Sequence, residues 1–299
     1  MGFQSGFVTL IGRPNVGKST LLNCIMGEKI SIMSPKPQTT RNRIRAIYTE
    51  ENCQIIFIDT PGIHKPRTRL GEYMVGAAEK AMEDVDACLF LVEATEVEPT
   101  DGDKEILEQL KAANIPVILI INKVDLVKRE TLLALITKFT QLMEFAAVIP
   151  LSALKKKGVD AVLEELLKIL PEGPLFYEDD IATDQTEKEM VAEIVREKIL
   201  RLTNDEVPHG TGVEILSFKV RPGGKMIDID ATIYCERNSH KAILIGKQGA
   251  KLKQIGSFAR QECEKLLGAK VNLQLWVKVK DDWRNSPSML KTLGYREEE

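Results

Sequence analysis

The first 170 residues alternate short, continuously apolar runs with amphipathic stretches. The apolar runs have the length of strands and lie at Phe7–Ile11, Ile44–Thr49, Ile55–Ile58, Cys88–Val92, Val117–Ile121 and Val148–Leu151. The amphipathic stretches have helical spacing and lie at Ser19–Met26, Leu70–Met82, Asp103–Ala113, Glu130–Leu142 and Val159–Leu170. Apolar strands separated by helices predict a six-stranded, mostly parallel sheet with helices on both faces. The second and third runs are too close for an intervening helix, which predicts an antiparallel hairpin at one edge.

The pattern changes after the last of these helices. The stretch Leu175–Gln185 is acidic and has no periodicity, which is typical of a linker. A capping box formed by Thr186 and Glu189 predicts the start of a helix that runs to about Leu202. The pattern then predicts strands Gly212–Val220 and Met226–Tyr234, a short helix Ala242–Ile245, a helix Lys251–Leu267 and a strand Val271–Val279. We therefore expect an α/β domain over 1–172, a linker over 173–185 and an α+β domain over 186–299.

Composition and charge narrow the class of protein. Hydrophobic residues make up 43% of the chain and charged residues 28%, as in water-soluble globular proteins. No apolar run approaches the roughly 18 residues needed to cross a bilayer. The five cysteines are scattered without C-x-x-C spacing, which argues against disulfide and zinc frameworks and for a reducing cytoplasm. Between Arg237 and Lys280 the ten Lys and Arg exceed the two Asp and Glu by 8 charges, in a chain of net charge −3, which predicts contact with a polyanion.

A phosphate-binding loop follows the first predicted strand and opens the first predicted helix. Residues 12–19 read GRPNVGKS and match G-x(4)-G-K-[ST] in the strand–loop–helix context that this motif requires. The glycines allow backbone N–H groups to surround a phosphate, and the helix N-terminus adds partial positive charge. Lys18 supplies a point charge to the β- and γ-phosphates. The predicted phosphate contacts are Gly12, Asn15, Val16, Gly17, Lys18, Ser19 and Thr20.

The tetrad Asn122-Lys123-Val124-Asp125 identifies the base. The Asp125 carboxylate can accept two hydrogen bonds side by side, from N1–H and from the 2-amino group of guanine. Adenine has no 2-amino group and its N1 is an acceptor, so it would leave polar groups unpaired, and the site is selective for that reason. Ser152 and Ala153, just after the last predicted strand, are expected to place a backbone N–H near guanine O6. The chain is therefore predicted to bind GTP and GDP.

Two further segments predict a Mg²⁺ site and a switch that senses the γ-phosphate. Asp59-Thr-Pro-Gly62 follows a predicted strand, so that the Asp59 carboxylate can hold a Mg²⁺-bound water and the Gly62 N–H can sense the γ-phosphate. Residues 38–41, QTTR, precede the hairpin and can complete the Mg²⁺ shell only while the γ-phosphate is present. For this role we favour Thr40, with Thr39 as the alternative. The predicted metal-site residues are Ser19, Thr40 and Asp59.

The order of these five elements resembles that of translation-factor-related GTPases over residues 5–170. The resemblance implies Mg²⁺-dependent GTP hydrolysis with a conformational switch between the GTP and GDP states. Ile63 stands where Ras-like GTPases have a Gln that orients the attacking water, so we expect slow intrinsic turnover, and we expect the adjacent His64 to serve in packing. Asn15 resembles the Asn with which related GTPases place K⁺ against the phosphates, which makes K⁺ a further candidate cofactor. The candidate catalytic residues are Lys18, Asn15 and Thr40.

A second anion site is predicted at residues 246–249, GKQG, between an apolar run and a helix. A G-x-x-G turn at a helix start lets a nucleic-acid backbone approach closely, with N–H groups and the helix dipole facing its phosphates. Lysines cluster around the turn, and Ile245 and Ile255 are candidates to line an apolar groove for unstacked bases. The alternative interpretation of so short a motif is a turn that has no binding role. The candidate RNA contacts are Lys241, Ile245, Gly246, Lys247, Gln248, Gly249, Lys251 and Lys253.

The element order of the second domain resembles that of a type II KH domain, which binds single-stranded RNA. Joined to the nucleotide-binding domain, it resembles the bacterial Era-type GTPases over residues 6–295, including the segment LWVKVK at 275–280. This resemblance implies binding of small-subunit (16S) rRNA near its 3′ end and a role in small ribosomal subunit assembly and maturation. It also implies a cytoplasmic location with peripheral contact to the inner face of the cell membrane, and DNA is not an expected partner.

Two alternatives to an RNA-binding switch stay open at this point. In the first, a GTPase uses its basic C-terminal domain mainly to contact an anionic membrane or a protein partner. In the second, a scaffold is stabilised by GTP without meaningful turnover, as the aliphatic Ile63 suggests. The paired glycines favour RNA over lipid, because an electrostatic contact with a membrane does not need them.

Overall fold

The computed structural model describes residues 2–63, 66–205 and 207–295. Its contacts divide the chain into two compact units. The first unit consists of Met1–Pro66 and Met74–Asp184, and the second of Arg67–Tyr73 and Gln185–Glu299. Each unit is built around a hydrophobic core of its own.

A six-stranded sheet forms the centre of the first unit. Its strands are β1 (Gln4–Ile11), β2 (Ile44–Glu50), β3 (Cys53–Asp59), β4 (Ala87–Glu93), β5 (Val117–Asn122) and β6 (Ala147–Pro150). The spatial order is β2-β3-β1-β4-β5-β6, and every neighbouring pair is parallel except β2 and β3. This confirms the predicted mostly parallel sheet with an antiparallel hairpin at its edge. Because parallel strands end at the same side of a sheet, the loops after β1, β3, β5 and β6 meet there.

Helices cover both faces of this sheet, as predicted. They are α1 (Lys18–Met26), α2 (Arg69–Lys80), α3 (Asp101–Ala113), α4 (Arg129–Thr140) and α5 (Asp160–Ile169). Leu22 of α1 and Leu166 of α5 pack with the side chains of one sheet face, while Leu110 of α3 and Phe139 of α4 pack with those of the other. Burial from both sides explains why the strands read as continuous apolar runs.

Residues 173–184, which the sequence predicts as part of a linker, are hydrogen-bonded to the first unit. The Phe176 N–H donates to Gln54 Oε1 at 2.7 Å, and the Ile47 N–H of β2 donates to Ala182 O at 2.9 Å. These contacts use backbone groups, which leave no periodic pattern in the sequence. The domain boundaries at 172 and 186 stay a prediction.

The second unit packs helices against a three-stranded sheet. Its elements are α6 (Glu187–Leu202), β7 (Thr211–Val220), β8 (Met226–Cys235), α7 (Asn238–Ile245), α8 (Ala250–Leu267), β9 (Lys270–Val279) and α9 (Pro287–Thr292). β8 pairs antiparallel with β7 and parallel with β9. Ile199 of α6 and Ala259 of α8 share a core with Ile229 and Ile233 of β8. The α+β class is confirmed, and α7 is longer than predicted because the polar residues of its first turn conceal the helical pattern.

The start of α6 is fixed by the predicted capping box. Thr186 Oγ1 accepts from the Glu189 N–H at 3.3 Å, and Glu189 Oε2 accepts from the Thr186 N–H at 2.8 Å, so both backbone donors are satisfied. Of the helices in the described ranges, none combines the length and the apolar character that crossing a bilayer requires.

Candidate nucleotide and RNA sites

The phosphate-binding loop joins β1 to α1 and is fixed by its neighbours. Gly17 has a φ of +106°, and a Cβ built on it would lie 2.2 Å from Nδ2 of Asn122, so no side chain fits there. Arg13 Nε donates to Asp103 Oδ1 at 2.8 Å, which ties the loop to the first turn of α3. No local pattern in the sequence predicts this ion pair, because 90 positions separate its partners.

The side chain of Asn122 connects three loops. Its Nδ2 donates to Val16 O of the phosphate loop at 2.8 Å. Its Oδ1 accepts from the Lys123 N–H at 2.8 Å and from the Ala153 N–H at 3.0 Å. The residues predicted to bind the phosphates and the base are therefore brought together by one buried amide.

Asp125 presents its carboxylate at the surface of the first unit, where a base can reach it. Ser152 Oγ donates to Asp125 Oδ1 at 2.5 Å, and this hydrogen bond holds the pKa of the Asp125 carboxyl below its usual value. The carboxylate therefore stays ionised as a pure acceptor, as the pairing with N1–H and the 2-amino group of guanine requires. Lys123 Nζ is paired with Glu93 Oε2 at 2.7 Å, which fixes the lysine beside the tetrad.

The backbone N–H groups of Ser152 and Ala153 have acceptors within the protein. The Ser152 N–H donates to Lys157 O at 3.0 Å, and the Ala153 N–H donates to Asn122 Oδ1 at 3.0 Å. A contact of either group with guanine O6 thus stays a prediction, and it requires the N–H to donate to two acceptors at once or to give up its present one. The contact that the sequence analysis missed is that of the Ser152 hydroxyl with Asp125.

Lys18 is buried at the start of α1 and faces the loop. Its Nζ donates to Gly12 O at 2.9 Å and to Arg13 O at 3.2 Å. Burial lowers the pKa of Lys18 to about 8, although Asp59 opposes this effect. Neutral carbonyls do not compensate an ammonium group fully, so the lysine is ready to take up an anion.

Asp59, at the end of β3, fits the role predicted for it in a Mg²⁺ site. Its Oδ2 accepts from the hydroxyl of Ser19 at 2.7 Å and from that of Thr40 at 3.3 Å, while its buried Oδ1 has no hydrogen-bond partner. Burial raises the pKa of the Asp59 carboxyl, against the lowering effects of Lys18 and the hydroxyls. A buried carboxylate with a spare oxygen and two hydroxyls are the hard oxygen donors that Mg²⁺ prefers. When bound, the ion would neutralise charge on the β- and γ-phosphates.

The geometry favours Thr40 over Thr39 as the switch threonine. Thr40 Oγ1 lies 2.9 Å from Ser19 Oγ, whereas Thr39 Oγ1 donates to Lys36 O at 2.6 Å within its own loop. The cleft next to these groups is lined by Asn15, Lys18, Ser19, Thr20, Thr40 and Gly62, so the candidate catalytic and metal residues share one space.

Ile63 packs against the core formed with α3 and α4 and has no polar atom to offer a water. Asn15 is exposed and has a φ of +67°. His64 lies outside the described residues. The structure thus places no side chain at position 63 that could orient a water, in keeping with slow intrinsic turnover.

The G-x-x-G turn of the second unit joins α7 to α8 in a left-handed conformation. Gly246, Gln248 and Gly249 have φ values of +70°, +52° and +78°. A Cβ on Gly249 would meet no atom within 4 Å, so the backbone conformation rather than crowding favours glycine there. The turn is therefore open at Gly249, whereas a Cβ on Gly246 would lie 2.6 Å from Lys251 Cβ.

The predicted RNA contacts of the second unit differ in exposure. Lys247, Gln248 and Lys253 are exposed, whereas Lys241, Lys251 and Ile245 are half-buried. Ile255 is 0% exposed and belongs to the core of this unit, so its predicted place in an apolar groove is wrong. On α8 it is followed at intervals of four residues by Ala259 and Cys263, and this spacing marks the buried face of the helix.

Comparison with known proteins finds relatives of both units. The family model of 50S ribosome-binding GTPases matches residues 7–123, and the model of KH domains matches residues 206–284. GTPase Era of Ruminiclostridium cellulolyticum is 60% identical over 99% of each chain. GTPase Era of Clostridium kluyveri is 55% identical over 98% of this chain and 99% of its own. The chain belongs to the Era family of GTPases.

Solved Era structures share the fold of the whole chain. A crystal structure of Era in complex with MgGDPNP and nucleotides 1506–1542 of 16S ribosomal RNA has a TM-score of 0.95 and 42% identity, and covers 99% of this chain and 100% of that chain. A variant of Aquifex aeolicus Era bound to GDP·AlF4⁻ has the same TM-score, identity and coverage. Era therefore binds a GTP analogue with Mg²⁺, and the predicted GTPase class of this chain is confirmed by its family.

Gly17→Ala should abolish nucleotide binding to this Era-family protein. The added methyl group would lie 2.2 Å from Asn122 Nδ2 in a residue with a φ of +106°. Gly27→Ala is the matched control, since Gly27 has a φ of +70° and nothing within 4 Å of an added Cβ. We expect that control to lose about 1 kcal/mol of stability and no affinity for GDP. GDP titration measures the affinity of both variants, and thermal unfolding measures their stability. Equal loss of GDP binding in Gly17→Ala and Gly27→Ala would exclude crowding at Asn122 as the cause.

Asp125→Asn should exchange guanine for xanthine specificity. The Asn amide can donate to the 2-oxo group of xanthine, but in guanine its NH2 group would face the 2-amino group, which is also a donor. GDP affinity should therefore fall at least about a hundredfold. Ser152→Ala is the control, because it removes the hydroxyl on Asp125 Oδ1 but keeps the carboxylate. It should weaken GDP binding without a gain in XDP binding. Competition of GDP and XDP for each variant measures the preference, and an unchanged guanine preference in Asp125→Asn would contradict the assignment.

Proposed function

We propose that this protein is a GTP-switched RNA-binding factor of small ribosomal subunit assembly and maturation. Its first unit binds and hydrolyses GTP with Mg²⁺, and its second unit binds single-stranded 16S rRNA near the 3′ end. The observation that carries the proposal is the G-x-x-G turn at 246–249, which joins two helices and leaves open space beside Gly249. The Era complex with nucleotides 1506–1542 of 16S ribosomal RNA supports it at 42% identity.

The turn has the backbone and the charge that an RNA phosphate needs. α8 begins at Ala250 and has no acidic residue in its first turn, so its N–H groups and its dipole present positive potential to the turn. Lys247 and Lys253 are exposed on either side. Because these lysines are solvated, the RNA affinity should fall steeply with salt.

In this proposal residues 1–172 form the GTPase domain, 173–185 connect the domains and 186–299 form the KH domain. The match to the KH model over 206–284 lies within the last range and supports it. Asn122 and Asp125 select the base, Lys18 contacts the phosphates, and Ser19, Thr40 and Asp59 hold Mg²⁺. The hydrogen bonds that gather these groups in one cleft support the assignment.

The cytoplasm is the compartment that this role requires, with peripheral contact to the inner face of the cell membrane. A basic surface by itself does not distinguish RNA from anionic lipid or from an acidic protein. The exposed glycine turn favours RNA, because a lipid contact needs charge but no close approach to the backbone.

Gly249→Asp should impair RNA binding and leave basal GTP hydrolysis unchanged. The substitution strains a residue with a φ of +78° and places a carboxylate where a phosphate would lie. Gly268→Asp is the matched control at the other end of α8, with a φ of +61° and equally open surroundings. We expect Gly249→Asp to lose RNA affinity by at least about tenfold and Gly268→Asp to change it little.

The probes are a labelled single-stranded RNA of the 16S 3′ end, DNA of the same sequence and vesicles of anionic lipid. Fluorescence anisotropy and co-sedimentation report binding to them. Loss of vesicle binding with RNA binding intact would favour the membrane alternative, and equal loss of GTPase activity and RNA binding would refute the division of labour.

We also propose that K⁺ assists GTP hydrolysis through Asn15, which lines the same cleft as Lys18 and Thr40. Turnover should be about tenfold faster in K⁺ than in Na⁺, because a cation near the phosphates stabilises developing charge. Asn15→Gly removes the side chain at a φ of +67° and should abolish this difference. Asp84→Gly, at a φ of +54° outside the cleft, is the control and should keep it. Steady-state phosphate release measures turnover, and equal rates in the two salts would exclude the role of K⁺.

A further inference from the structure

Ser31 is a buried serine that belongs to none of the nucleotide motifs. It lies between α1 and the predicted switch residues, and 1% of its surface is exposed. Its Oγ donates to Asp59 Oδ2 at 2.8 Å. Ser31 therefore contacts the Mg²⁺-site carboxylate from a segment that the motif analysis does not include.

The backbone of Ser31 is held on both sides by the side chain of Asn23. The Ser31 N–H donates to Asn23 Oδ1 at 2.9 Å, and Asn23 Nδ2 donates to Ser31 O at 2.7 Å. The Ile30 N–H donates to the same Oδ1 at 2.9 Å. Asn23 follows Ser19 by four residues and so shares its face of α1. The amide thus ties Ser31 to the helix that carries the metal-site serine.

The residues on either side of Ser31 anchor it further. Ile30 and Ile32 are 8% and 4% exposed, so the short segment is fixed by apolar burial as well as by hydrogen bonds. Thr40 lies nine residues later, in the loop whose position is predicted to depend on the γ-phosphate. Ser31 and Thr40 touch the same carboxylate, but the backbone of Ser31 is in addition held by the Asn23 amide of α1.

Asp59 Oδ2 accepts three hydroxyl groups, from Ser19 at 2.7 Å, Ser31 at 2.8 Å and Thr40 at 3.3 Å. Two of these hydroxyls, those of Ser19 and Thr40, are also predicted to contact Mg²⁺. In the GDP state Thr40 has no γ-phosphate to hold it. The Ser31 hydroxyl has no second task, so its hydrogen bond to Asp59 is available in either state.

We propose that Ser31 is a positioning residue that holds the Asp59 carboxylate in place for Mg²⁺ in the GTP state and in the GDP state alike. It acts through Asp59, and it does not contact nucleotide. The inference rests on the proposed assignment of Asp59 to the Mg²⁺ site. Its consequence is that Mg²⁺ stays bound with GDP after the switch loop has moved. Partners of this kind, which orient a metal-site carboxylate, typically change metal affinity by about 10–100-fold when removed.

The test is the Mg²⁺ dependence of GDP release from the full-length Ser31→Ala variant. Release of a fluorescent GDP analogue is followed at a series of free Mg²⁺ concentrations, without RNA and without turnover. The Mg²⁺ concentration that half-maximally slows release should rise about tenfold in the variant. The release rate in excess EDTA should stay within about twofold of wild type. The Asp59 carboxylate slows GDP release only by way of the metal, and EDTA removes the metal. A packing defect would instead raise the rate with and without Mg²⁺.

Ser34→Ala is the matched control, since it deletes the same atom from the same loop. Ser34 Oγ accepts from the Lys36 N–H at 3.2 Å, and this variant should have the wild-type Mg²⁺ midpoint. Asn23→Ser keeps the Ser31 hydroxyl but replaces the amide that holds the Ser31 backbone with a shorter hydroxyl group. It should raise the Mg²⁺ midpoint, as Ser31→Ala does. It also serves as the second variant if thermal unfolding shows that Ser31→Ala is not folded.

A wild-type midpoint in Ser31→Ala, or in Asn23→Ser when that variant stands in for it, would overturn the proposal. So would equal acceleration with and without Mg²⁺. If release from the wild-type protein did not respond to Mg²⁺ at all, the assignment of Asp59 would fail as well. The RNA-binding role of the second unit would be untouched by any of these results.

Discussion

The nucleotide site depends on the side-chain amide of Asn122. Both of its polar atoms have partners, and the partners belong to three loops, those that follow β1, β5 and β6. Gly17 lies so close to this amide that the phosphate loop and the base loop cannot move independently. A buried polar group that is fully satisfied fixes the geometry around it, since every displacement breaks a hydrogen bond that water does not replace. The base and phosphate sites are therefore linked by hydrogen bonds within the protein itself.

The charged groups of the same site are less well satisfied than the amide. Burial lowers the pKa of Lys18 and raises that of Asp59, so each group is displaced towards its neutral form although the two lie near each other. The hydroxyl groups of Ser19, Ser31 and Thr40 moderate the rise in the pKa of Asp59 but add no charge. A nucleotide with its cation brings the missing counter-charges to both residues. The firmly held amide and the two poorly compensated charges together explain how the site can gain much from its ligand.

The sequence predicts those parts of the fold and site that depend on local pattern. Apolar runs locate the strands, and the motifs that follow them locate the loops that meet at one side of the sheet. Contacts between distant positions escape this reasoning, as with Arg13 and Asp103 or with Ser31 and Asp59. Backbone contacts escape it as well, which is why residues 173–184 read as a free linker. The prediction for Ile255 is wrong for a different reason. The four-residue spacing of Ile255, Ala259 and Cys263 on α8 is visible in the sequence and places Ile255 in the core.

Both anion sites of this chain use a glycine turn at the start of a helix, yet their surroundings make them different. In the first unit the turn encloses a lysine that is 6% exposed, so its ligand is stripped of water and recognised in detail. In the second unit Lys247 and Lys253 are exposed to solvent, which suits a long polyanion that is bound at many weak, salt-screened points. A nucleotide that must be held through a catalytic cycle needs the first kind of site. A polyanion that is bound and later released is better served by the second kind, because solvated contacts form and break without the desolvation that a buried charge requires.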